Sequence, residues 1–135
     1  MSLEKRRTFP ATIEGLAEAT AHLRAYLETR NTDPKTRSQI LICLDEIASN
    51  IVNYSGASEF TIELLPIENP SRLKLMFFDT GRPYDPLQRA DPDVTLSVEE
   101  RDIGGLGLFI VKKMMDEVSY ENVEGKNVLT LVKSF

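Results

Sequence analysis

Three short stretches of this chain hold residue types that could do chemistry. In GGLGLFIVKKMMDEV, Gly104 to Val118, three glycines stand at the head of an apolar run with helical spacing. The first turn of a helix leaves N–H groups unpaired at the positive end of its dipole, so an anion can dock there. Gly104, Gly105 and Gly107 remove the β-carbons that would hold a phosphate away, and Leu108, Val111 and Met115 are spaced to anchor the helix in a core. A hinge ahead of a helix that starts late accounts for the same residues. The run is neither GxxxxGK[ST] nor a GxGxxG after a strand, so neither of those phosphate loops applies.

The second stretch is LDEIASNIVNYSG, Leu44 to Gly56. Glu46 and Asn50 are one helical turn apart and share a face, with Asn53 near the same line. That stripe lies about 120° around the helix from Ile40, Leu44, Ile47 and Ile51, counting roughly 100° per residue. The carboxylate could act as a general base and the carboxamide as an oxygen ligand for Mg²⁺. A solvated helix flank is the other account, although two asparagines so close together are poor helix formers. The third stretch, FFDTGRPYDP, runs an apolar strand into Asp79 and turns at Thr80 and Gly81. A buried aspartate there could accept from an exocyclic amino group, beside a backbone that a flat ligand approaches closely. An ordinary Asp-Gly-Pro turn also fits.

The elements that must position these residues follow from periodicity. RRTFPA reads as a short strand kept at a sheet edge by Pro10. A helix is expected after Thr12, with Ile13, Leu16, Ala17, Leu23 and Leu27 facing inward, Thr20 on the same line, and alanines and charges on the other face. Asp33 and Pro34 form the cap and first-turn pair of a second helix, which ends at YSGAS. EFTIELLPI and RLKLMFFD read as strands. Residues 80 to 103 have no sustained period and are expected to form a functional lid or a disordered loop. A third helix and a closing hairpin of EVSYENVE, GKN and VLTLVKSF complete the chain. This order implies an α+β domain spanning residues 1–135, a two-layer sandwich with three helices on one face of a mostly antiparallel mixed sheet.

Composition narrows the function. At 135 residues, folding should bury roughly 68% of the unfolded surface, enough for a core without staples. Hydrophobic residues at 41% and charged residues at 27% are ordinary globular values. A net charge of -5 argues against broad nucleic-acid affinity. No apolar run is long enough to span a bilayer, and MSLEKRRTFP lacks a signal core. A cytoplasmic protein is therefore expected; the single Cys43 excludes an internal disulfide, which agrees with a reducing compartment, and the acidic charge leaves proteins or a metal-chelated small anion as expected partners. The one histidine, His22, is expected to be packed or solvated, with phosphorylation as the alternative.

In this order and spacing the three stretches resemble the N box and the two glycine boxes of the GHKL ATPase/kinase superfamily. The resemblance is nearest to the small bacterial anti-sigma factors that are serine-protein kinases, the switch kinases of partner-switching modules. It covers nearly the whole chain and is most specific from Gly104 to Val118. It implies ATP bound through Mg²⁺ between the second helix and the lid. Glu46 would match the catalytic base, Asn50 the metal ligand and Asp79 the adenine reader, with Gly81 allowing adenine its close approach. Gly104, Gly105, Leu106 and Gly107 would line the phosphates, Arg101 would contact the terminal phosphate, and Thr130 would assist near adenine. The chain departs from many relatives in having Tyr54 in place of a histidine and Lys126 in place of a threonine. The resemblance further implies a homodimer and a phosphorylatable Ser/Thr antagonist that competes with a sigma factor or another target for the kinase. A partner-sequestering module with a structural nucleotide, or none, is the alternative.

Overall fold

The computed structural model describes residues 5–68, 71–83 and 103–134. The chain runs β1 (Arg6–Pro10), α1 (Ile13–Thr29), α2 (Pro34–Asn50), a π-helical turn (Ile51–Ser55), β2 (Glu59–Ile67), β3 (Arg72–Asp79), α3 (Ile103–Met114), β4 (Glu117–Val123) and β5 (Lys126–Ser134). Each helix begins where its local chemistry allows. Thr12 caps α1 by accepting from the Gly15 amide at 3.0 Å, and Asp33 caps α2 by accepting from the Thr36 amide at 3.0 Å, with Pro34 in the first turn. The extension past Asn50 ends at Gly56, whose φ of 78° lies in the left-handed region that glycine enters freely.

The five strands form one sheet in the order β1-β2-β3-β5-β4, and every pairing among the described residues is antiparallel. The expected α+β architecture is therefore found, with no parallel pair among these strands. β4 and β5 are joined by a two-residue turn at Glu124 and Gly125, whose φ values of 51° and 81° match the twist of a hairpin. Alternation along the strands separates two faces. On β3, Leu73, Leu75, Phe77 and Asp79 are buried while Lys74, Met76 and Phe78 are half-buried. The inward residues join one core with Leu23 and Leu27 of α1, Ile40, Leu44 and Ile47 of α2, and Val111 of α3. Burying each such side chain stabilises the fold by about 1.5–3 kcal/mol. The end of α3 is clamped to β5, because Lys133 Nζ donates to the Met114 carbonyl at 2.7 Å. No helix among the described residues is long and apolar enough to cross a membrane.

Helix α1 turns Leu23 and Leu27 into the core and packs Leu16 against it, as expected, but Ile13 and Ala17 are exposed and the buried face is shifted toward Gly15 and Ala19. Gly15, Ala19, His22, Leu23, Tyr26 and Leu27 are buried, while Ile13 is 78% exposed. The reason lies at Gly15, where a β-carbon would stand 1.7 Å from the Pro10 carbonyl oxygen. This contact presses the glycine side of the helix onto the end of β1. His22 then packs inside, its ring 5.9 Å from that of Phe9.

Candidate functional site

A cleft partly open to solvent lies between α2 with its π-helical turn and the inner face of β3, β4 and β5. Ile47, Ile51, Phe77 and Leu129 make its apolar walls, and Asn50, Asp79 and Asn127 bring polar groups to it. An apolar concavity with few convergent polar groups is the usual form of a small-ligand site. Two of the expected site residues, Asn50 and Asp79, are thus brought to one cavity from elements far apart in sequence.

Asp79 ends β3 and is buried. Its Oδ1 accepts from the Gly81 amide at 2.9 Å and from Asn127 Nδ2 at 3.0 Å. Gly81 has an internal reason to be glycine: a β-carbon there would stand 2.3 Å from the Ser55 carbonyl oxygen. The Arg82 amide donates to that oxygen at 2.9 Å, and the Arg82 guanidinium donates to the Tyr54 carbonyl at 2.7 Å. Arg82 therefore caps both carbonyls at the end of the π-helical turn, Ser55 with its backbone amide and Tyr54 with its guanidinium, a cation that suits the negative end of a helix. Tyr54, Ser55 and Arg82 also line the cleft, and Tyr54 is largely exposed at its rim.

Glu46 lies one turn before Asn50 on α2, half-buried, and is not among the residues that line the cleft. Burial raises its carboxyl above the ordinary glutamate range, and the Asp45 carboxylate adds to the rise. Thr130 does not join the site. Its cross-strand neighbours are Met76 and Ser119, and it points to the sheet face opposite that of Asn127 and Leu129. Gly104, Gly105, Leu106 and Gly107 fall within α3, which starts one residue ahead of them at Ile103. Helix-weakening residues cost least in that first turn, which holds Gly104 and Gly105 and whose N–H groups have no intrahelical partner. Arg101 and most of the expected lid, residues 84–102, lie outside the described residues.

Sequence reasoning missed Asn127, which it assigned to the hairpin turn. Its side chain donates to Asp79 and also to the Arg82 carbonyl, at 2.9 Å, and it accepts from the hydroxyl of Tyr120. The available signal was a lone amide in the inward register of a strand that continues with Leu129 and Leu131. Among the described residues no three His, Cys, Asp or Glu side chains cluster as a metal site. The hard oxygen of Asn50 suits Mg²⁺, an ion that takes one or two protein ligands and completes its shell with phosphate and water.

Three helices on one face of a five-stranded antiparallel sheet, with a cleft between the second helix and the sheet, define the class of histidine-kinase-like ATP-binding domains. The chain belongs to the histidine kinase-like ATPase domain family, whose profile matches residues 9–133. This bears out the superfamily that the sequence motifs resemble. It is 30% identical over 99 residues to the serine/threonine-protein kinase BtrW of Bordetella bronchiseptica, an alignment covering 72% of this chain and 70% of that protein. In fold it is similar to the structure of the RsbU and RsbW domains of Rv1364c from Mycobacterium tuberculosis, with a TM-score of 0.64 and 17% identity. That match covers 96% of this chain and 31% of the longer one, so the chain spans about a third of that protein. The SiaB-SiaC complex of Pseudomonas aeruginosa matches with a TM-score of 0.63 and 16% identity, covering 96% of this chain and 89% of the other.

Proposed function

We propose that this domain binds Mg-ATP in the cleft and transfers the γ-phosphoryl group to a serine or threonine of a small antagonist protein. The observation that carries the proposal is the juxtaposition of Asn50 and Asp79 on one apolar cleft, in a chain related to a serine/threonine-protein kinase. Asp79 would accept from the amino group of adenine, and the apolar walls would cover the faces of the ring. Glu46 would take the hydroxyl proton as the serine oxygen bonds to the γ-phosphorus and the bond to the ADP oxygen breaks. Its raised carboxyl suits that role, since a base works best with a pKa near the working pH. Bound Mg²⁺, with Asn50 as one ligand, would neutralise charge on the phosphates.

One of the similar structures is a complex of SiaB with SiaC, which supports a protein as the acceptor. In a partner-switching scheme the unphosphorylated antagonist competes with a sigma factor or another regulatory target, and phosphorylation releases the antagonist. A homodimer in a bacterial cytoplasm completes this reading. Incubating the full chain with γ-labelled ATP, Mg²⁺ and candidate antagonist proteins tests it. Label on a partner serine or threonine, lost with Glu46→Gln, is the expected result. Stable complexes that never acquire label would establish a sequestering module instead.

A further inference from the structure

Every hydrogen-bonding position of the Asn127 side chain is used. Its Oδ1 accepts from the Tyr120 hydroxyl and from Asn122 Nδ2 at 3.2 Å. Its Nδ2 donates to Asp79 Oδ1 at 3.0 Å and to the Arg82 carbonyl at 2.9 Å, with the Gly81 carbonyl at 3.5 Å. The amide cannot be reversed, because its oxygen would then face a carboxylate and carbonyls that only accept. Asn127 is therefore a strut with a fixed orientation, 7% exposed, and has no donor left for a ligand.

The consequence falls on Asp79. Its Oδ1 takes two protein donors, the Gly81 amide and Asn127, which fills the two lone pairs of that oxygen. Only Oδ2 is left to offer a ligand in the cleft. A carboxylate with both oxygens open can accept two adjacent donors at once, as a 2-amino-6-oxopurine presents them on its ring N–H and its 2-amino group. A carboxylate with one oxygen open suits a base that presents a single exocyclic amino group. We propose that Asn127, held in place by Tyr120, is a positioning residue that blocks Asp79 Oδ1 and so selects a 6-aminopurine over a 2-amino-6-oxopurine. This rests on the nucleotide reading of the cleft given above.

Calorimetric titration of the full chain with Mg-ATP and Mg-GTP tests it, with Asn127→Leu and Tyr120→Phe alongside and each variant's thermal midpoint measured. The unsubstituted chain should prefer ATP. Asn127→Leu, which reopens one lone pair of Oδ1, should lower the ATP/GTP affinity ratio by about tenfold or more. Tyr120→Phe, which removes one of the two donors to the Asn127 amide oxygen but keeps the ring, should shift the ratio in the same direction by a smaller factor, and it carries the test alone if Asn127→Leu does not fold. A merely structural strut would weaken both nucleotides in parallel, and an unchanged ratio in a folded variant would overturn the assignment. Failure of the unsubstituted chain to bind either nucleotide would remove the nucleotide reading itself.

Discussion

Gly81 lies against the backbone of Ser55 so closely that a β-carbon would stand 2.3 Å from the Ser55 carbonyl oxygen and 2.8 Å from its carbon. The end of the π-helical turn and the loop after β3 are thereby joined backbone to backbone at one side of the cleft. Gly81→Ala must push them apart, and because the atoms met are the Ser55 carbonyl group and its Cβ, none of them the far end of a flexible side chain, the relief is not cheap. We expect a loss of about 2 kcal/mol or more in urea unfolding, with nucleotide affinity falling alongside. A variant as stable as the parent would show that the contact yields without cost.

Glu46→Gln should retain ATP binding and lose about 10²- to 10⁴-fold in phosphoryl transfer. In single-turnover assays the parent's rate should fall as pH drops through the raised Glu46 value, because protonation removes the base. Stability runs the other way. A carboxyl raised by folding binds its proton more tightly in the folded chain, so its contribution declines as pH rises from the unfolded value through the folded one. Glu46→Gln removes that decline and should be no less stable than the parent at pH 7, as thermal melts would show.

For Asp79→Asn, the expected change is weaker Mg-ATP binding by about 10- to 100-fold, the range for losing a hydrogen bond to a charged acceptor. The new side chain can keep its oxygen toward Asn127 and the Gly81 amide, so the fold should survive. Its amide nitrogen would then face the ligand's amino group, donor against donor. Titration calorimetry with a parallel melt separates this from unfolding.

Cys43 is buried on α2, and burial pushes its thiol up to about 11. The thiolate is the reactive form, so native protein at pH 8 should resist alkylation. Mass spectrometry should find Cys43 modified only after denaturant is added. Rapid labelling of the folded chain would mean that α2 opens locally.

How the chain divides into elements was legible before the fold was known. Thr12, Asp33 with Pro34, and Gly56 mark helix ends through bonds and dihedrals that involve only near neighbours. The bounds of β2 and β3 follow from alternation, and the Glu46 and Asn50 stripe and the Asp79 turn were visible as patterns. Local energies decide all of these, and a sequence states its local energies directly.

Tertiary structure alone decided which faces meet. Helix α1 turns inward on Gly15 and Ala19 because the Pro10 carbonyl leaves no room for a side chain, a contact that Ile13 and Leu16 could not announce. Thr130 and Asn127 belong to one strand, yet a shift of three residues in a period of two sends one away from the cleft and the other into it. The pairing of β3 with β5 sets Asn127 against Asp79 from 48 residues away and makes it the strut of the site. Such choices rest on long-range contacts, whose free energy exists only once distant segments are packed together.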